Sequence, residues 1–134
     1  MSLGFGTFLY EQLFLDFKAP DADLTGKTAL VTGSNVGLGF ETAVQLLERG
    51  VSRLIMGVRN MEKGAAAKER MLQRVPGAKS DQVEVWQLDL ASYDNTRAFA
   101  DKCANELDRL DIAILNAAVA NLKYRKTADG HEER

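Results

Sequence analysis

The sequence predicts an α/β fold, a parallel sheet with helices packed on its faces. Three observations predict it. From Thr28 onward, short apolar runs alternate with longer segments whose apolar residues recur at helical spacing. Glycines gather at one strand-to-helix junction, Thr32-Gly33-Ser34-Asn35-Val36-Gly37-Leu38-Gly39. The alternation repeats as β-α-β-α-β-α-β from Thr28 to Leu115, the pattern of a parallel sheet covered by helices.

The elements follow in order. A strand is predicted over Thr28–Thr32 and a helix over Gly37–Arg49, in which Phe40, Ala43, Val44 and Leu47 follow the i, i+3, i+4, i+7 pattern and Gly50 supplies the stop. A strand over Arg53–Val58 and a helix over Met61–Arg74 come next, then a strand over Val83–Leu88. The third helix is predicted over Tyr93–Arg109, with Ser92 as its N-cap. Thr96, Phe99, Ala100, Cys103, Leu107 and Leu110 share one face, which makes Cys103 a buried structural thiol. A strand over Ile112–Leu115 closes the series.

Residues 1–26 read as an N-terminal helix and linker, and residues 27–134 as the domain. Phe5, Phe8, Leu9 and Leu13 fall at helical spacing, and the polar stretch Lys18 to Gly26 carries Pro20. The opening segment has no basic flank or small-residue cleavage site, contains Glu11 and Asp16, and falls short of the ~20 apolar residues a membrane span needs. With no lysine or arginine before Lys18, packing onto its own domain is expected over docking to a membrane surface.

Composition narrows the class further. A chain of 134 residues with 46% hydrophobic and 27% charged residues is that of a globular domain. A net charge of -2 offers no electrostatic footprint for nucleic acid. The single cysteine cannot form an internal disulfide, so a reducing, cytoplasmic setting is expected. His131, the only histidine, has no metal-ligand spacing to Cys103 and reads as a surface residue, with no metal expected.

The glycine junction has the residue types of a phosphate cradle. Glycines permit positive φ and close backbone approach, so the amides at the following helix N-terminus can face an anion. A Walker loop needs Lys-Ser or Lys-Thr after the last glycine; Phe40-Glu41 stand there instead. A dinucleotide remains, and its adenosine ribose meets the end of the second strand. An acid there favours NAD, whereas this chain has Val58-Arg59-Asn60. Arg59 is suited to the 2′-phosphate of NADP(H), with Lys63 one turn on as a second charge.

Thr-Gly-Ser-Asn-Val-Gly-Leu-Gly, then Asp89-Leu90, then Leu115-Asn116-Ala117-Ala118 resembles the short-chain dehydrogenase/reductase family in order and spacing. The Arg59-Asn60 strand ending and Thr127-Ala128-Asp129-Gly130-His131-Glu132 resemble its retinol-dehydrogenase-like and fungal biosynthetic branches. The resemblance implies a Rossmann-type doubly wound sheet and NADP(H)-dependent hydride transfer between a carbonyl and an alcohol. It implies that Gly33, Gly37 and Gly39 form the cofactor turn, that Ser34 and Asn35 line it, and that the Leu38 amide meets the diphosphate. It also implies that Asp89 accepts from the adenine amino group beside the Leu90 amide. Asn116, Ala117 and Ala118 would then flank adenine and the nicotinamide ribose, Ala118 standing where the family has glycine.

The family's catalytic Tyr-x-x-x-Lys is not present in these 134 residues. Tyr10 is followed four residues on by Phe14, Tyr93 by Arg97 and Tyr124 by Ala128. The resemblance therefore makes this chain a cofactor-binding half, truncated after the fourth strand, with no catalytic residue of its own. Right-handed crossovers predict strand order 3-2-1-4, with the fourth strand at an exposed edge that favours self-association. A lipophilic small-molecule substrate is the expectation for the complete protein. A non-catalytic dinucleotide-binding module or an inactive fragment is the alternative.

Overall fold

The computed structural model describes residues 21–118 and 126–131. The predicted N-terminal helix lies outside the described residues. A parallel four-stranded sheet in the order β3-β2-β1-β4 is built from β1 (Thr28–Thr32), β2 (Arg53–Val58), β3 (Val83–Gln87) and β4 (Ile112–Ile114). The intervening helices are α1 (Gly37–Glu48), α2 (Met61–Arg74) and α3 (Tyr93–Glu106). This is the expected order 3-2-1-4, and β1 is the central strand because it pairs in parallel with both β2 and β4.

Strand alternation divides the core into two layers. Ala29 and Val31 of β1, with Leu54, Met56 and Val58 of β2, face the helices α1 and α2 and meet Phe40, Val44, Leu47, Ala67 and Met71. Leu30 and Ile55 point the opposite way, to Trp86, Leu88 and Phe99 under α3. Because both faces of β1 and β2 are covered, those strands are apolar without interruption rather than alternating. The aromatic pair Trp86–Phe99 packs edge to face at 5.9 Å, and Lys102 Nζ lies 4.3 Å from the Trp86 ring centroid.

Helix ends show where local chemistry governs. Asn60 Oδ1 accepts from Lys63 N at 2.9 Å to start α2, and Ser92 Oγ accepts from Asn95 N at 3.3 Å to start α3. Gly50, at φ 76°, follows the end of α1. Four of the expected ends shift, β4 among them, which ends at Ile114 rather than Leu115. α1 stops at Glu48, with Arg49 as its C-cap, and β3 stops at Gln87. The predicted continuation of α3 to Arg109 does not occur, since Leu107 takes extended backbone (φ -106°, ψ 112°) and caps the helix. Leu110 thereby leaves the helix face and is 43% exposed. Cys103 is half-buried rather than fully buried, and burial raises its thiol above the usual range, so it is protonated at neutral pH.

Asp111 ties β4 to β1. Its carboxylate accepts from Thr28 N at 2.9 Å and Lys27 Nζ at 3.4 Å, and from the Arg109 guanidinium. The Arg109 hydrogen bond, followed by that from Thr28, lowers its pKa to about 2. Beyond β1, β4 has no strand neighbour among the described residues. Beside it, Leu30, Phe99, Cys103, Leu107, Leu110 and Leu115 line an apolar groove, and Leu115 is 80% exposed. Among the described residues no helix is long and apolar enough to cross a membrane.

Candidate functional site

An open cleft of about 560 Å³ lies at the carboxyl ends of the strands, within the ~300–1,000 Å³ usual for ligand sites. β1 delivers the chain to Gly33, whose φ of 67° turns it away from the sheet while its N–H still donates to Gly57 O at 2.8 Å. The turn runs to Gly37, at φ 61°, where α1 begins. α1 has Val36 at its N-cap, and no side chain among the described residues caps it. This sets it apart from α2 and α3. The first amides of α1 are therefore left without a side-chain acceptor beside the cleft, at the positive end of the helix dipole.

The end of β4 locks this turn in place. Asn116 Nδ2 donates to Thr32 O at 3.2 Å and to Gly33 O at 3.4 Å, while Ala117 N donates to Thr32 Oγ1 at 3.0 Å. A β-carbon at Gly33 would lie 2.9 Å from Ala117 Cα. One at Gly39 would lie 2.5 Å from both Asn116 Nδ2 and Gly33 O, so the helix approaches β4 as closely as a hydrogen side chain permits. Nothing lies within 4 Å of the corresponding position at Gly37, whose requirement is backbone conformation alone.

Of the residues predicted for the site, Gly33, Asn35, Arg59, Asp89, Leu90, Asn116, Ala117 and Ala118 line the cleft. Gly39 is buried behind it, and Leu38 is 80% exposed at the start of α1. Asp89 is organised locally: its Oδ1 accepts from Ala91 N at 3.0 Å and its N–H donates to Asn95 Oδ1 at 2.6 Å. Ser34 is placed differently. Its side chain is fully buried and absent from the cleft wall, and its hydroxyl has no hydrogen-bond partner among the described residues. An unsatisfied buried hydroxyl carries a desolvation cost, so Ser34→Ala is expected to stabilise the fold by up to ~1 kcal/mol. A urea midpoint that falls instead would show that the hydroxyl has a partner in solution.

Sequence reasoning missed part of the wall. Tyr93, Thr127, Asp129 and His131 close one side of the cleft, with Tyr93 N donating to Asp129 Oδ2 at 2.7 Å and the Tyr93 and His131 rings 5.1 Å apart. The packing of the Asp129-Gly130 turn against the start of α3 is a tertiary event that no local pattern marks. Among the described residues no cluster of three metal-ligating side chains occurs.

A glycine-rich turn feeding an uncapped helix at the carboxyl edge of a 3-2-1-4 parallel sheet defines a Rossmann-type fold. The family model for short chain dehydrogenase matches residues 27–133, and the chain belongs to that family. It is 43% identical over 122 residues to the short chain dehydrogenase/reductase dmxR8 of Cryptosporiopsis sp., a match covering 91% of this chain and 37% of that protein. Two solved structures are each 30% identical to it. One is a metagenomic short-chain oxidoreductase in complex with NADP (TM-score 0.61, covering 72% of this chain and 41% of that one). The other is the Pseudomonas aeruginosa RhlG/NADP active-site complex (TM-score 0.63, covering 77% and 39%). The chain thus spans well under half the length of these relatives.

Proposed function

We propose that this chain is the cofactor-binding portion of an NADP(H)-dependent oxidoreductase acting on a small lipophilic carbonyl or alcohol. The carrying observation is the uncapped start of α1 opening on a cleft that also holds Arg59. The amides of the α1 turn would bind the diphosphate, and Arg59 the 2′-phosphate. Asp89 and Leu90 line the part of the cleft where adenine would lie, and Asn116 holds the turn to the sheet. NADP(H), when bound, supplies or accepts the hydride. The donor set fits such a ligand, because a helix terminus and a guanidinium complement two separate phosphate groups. Two structural relatives solved as NADP complexes support the same cofactor here.

The test is a fluorescence titration of the chain with NADPH and with NADH. NADPH is expected to bind at least about tenfold more tightly, as a charge-assisted contact to an extra phosphate would give. Equal affinities would overturn the 2′-phosphate assignment, and no binding of either would overturn the nucleotide reading itself.

A further inference from the structure

We propose that Arg70, on α2, is a positioning residue for the diphosphate turn, holding it in the shape that presents its amides to the nucleotide. The inference rests on the dinucleotide reading above and adds a residue that the glycine motif does not contain.

Two contacts carry it. Arg70 Nη2 donates to Asn35 O at 2.9 Å, and the same guanidinium lies 4.8 Å from the centroid of the Phe40 ring. Asn35 is on the cleft wall just before α1, and Phe40 is buried in the first turn of α1. One planar cation thus holds the residues on either side of Val36–Gly39, the segment whose amides would face the diphosphate. Asn116 and Ala117 fasten the Thr32–Gly33 end of the turn, whereas Gly37 has a positive φ and Val36 supplies no capping side chain, so the Asn35–Phe40 end is the part that Arg70 holds. A turn fixed beforehand loses less entropy when ligand binds, so the brace acts on affinity rather than by touching the nucleotide. The planar guanidinium can stack and donate at the same time, which suits arginine better than lysine.

Arg74, one turn further along α2, provides the internal control. It pairs with Glu41 Oε1 at 2.7 Å, with both side chains about half exposed, and such pairs contribute little. Arg74→Ala removes the same charge from the same helix while leaving the Asn35 contact in place.

The experiment measures dissociation constants of the chain and its variants for NADPH and for adenosine 2′-monophosphate, which lacks the diphosphate. Arg70→Ala is expected to weaken NADPH binding about five- to tenfold and to leave adenosine 2′-monophosphate within about twofold. Arg74→Ala is expected to leave NADPH within about twofold. Arg70→Lys, which keeps the charge and a donor should the alanine variant fold poorly, is expected to lose about threefold for NADPH. Unchanged NADPH affinity in both Arg70 variants would overturn the proposal, as would equal losses for the two ligands or an equal loss in Arg74→Ala. Failure of the unaltered chain to bind either ligand removes the dinucleotide reading and this proposal together. Tight NADPH binding by the unaltered chain, with no effect of Arg70, removes this proposal alone.

Discussion

Replacing Arg59 by alanine is expected to weaken NADPH binding by roughly ten- to a hundredfold and to leave NADH within about twofold. Arg59 stands directly after β2 and lines the cleft. Hydrogen bonds to charged groups contribute about 1.5–3 kcal/mol, and each 1.4 kcal/mol is about a factor of ten in affinity. The exposed position of Arg59 favours the lower part of that range, because water screens the interaction. The effect should also shrink as salt is raised. Parallel titrations with both nucleotides check it. Equal losses for NADPH and NADH would mean that Arg59 contacts something both share and would remove the basis for cofactor preference.

Gly39→Ala is expected to destabilise the domain by about 1–3 kcal/mol, the usual range for overpacking, and to weaken nucleotide binding with it. The added methyl would meet Asn116 Nδ2 at 2.5 Å and Gly33 O at 2.5 Å. The carbonyl belongs to the backbone, and the amide is already donating to Thr32 O and Gly33 O. Neither can move without disturbing the contact between β4 and the turn. Alanine's better helix propensity returns at most ~1 kcal/mol, so the clash prevails. Gly37→Ala makes a useful contrast because its methyl would enter open space, leaving only the ~1–2 kcal/mol cost of positive φ. Urea midpoints for the two variants provide the comparison, and a Gly39→Ala midpoint equal to that of the unaltered chain would show that α1 can shift away from β4 freely.

The parts of the fold visible in the sequence are those set by local pattern. The apolar runs of β1 and β2 are buried on both sides, so each strand shows as one unbroken segment with correct ends. Asn60 and Ser92 mark the starts of their helices by their own side-chain chemistry. The end of α3 was hidden because Leu107 and Leu110 continue the helical spacing and neither glycine nor proline marks the stop. The short turn of 3₁₀ helix at Ser80–Gln82 was missed for a similar reason: it rests on Gln82 Oε1 accepting from Lys79 N at 2.6 Å, a pairing without a strong motif.

The site divides in the same way. Glycine spacing could be read directly, since Gly33 and Gly37 take positive φ and Gly39 has no room for a β-carbon. The direction of a side chain within the turn could not. Ser34 and Asn35 are adjacent in sequence, yet one points into the core and the other borders the cleft, because the neighbouring elements choose the face. Arg70 and Asp129 were still less visible, being 35 and 36 residues from the groups they hold.

The bonds from Asn116 and Ala117 to Thr32 span 84 and 85 residues. They impose an order of events during synthesis. The turn leaves the ribosome first, while the segment that fastens it follows on the order of ten seconds later at ordinary elongation rates. Until then Asn116 is not there to donate to Thr32 O and Gly33 O, and the loop that must close is among the longest-range contacts in the domain. The turn therefore takes its final shape late, when the central strand is flanked on both sides.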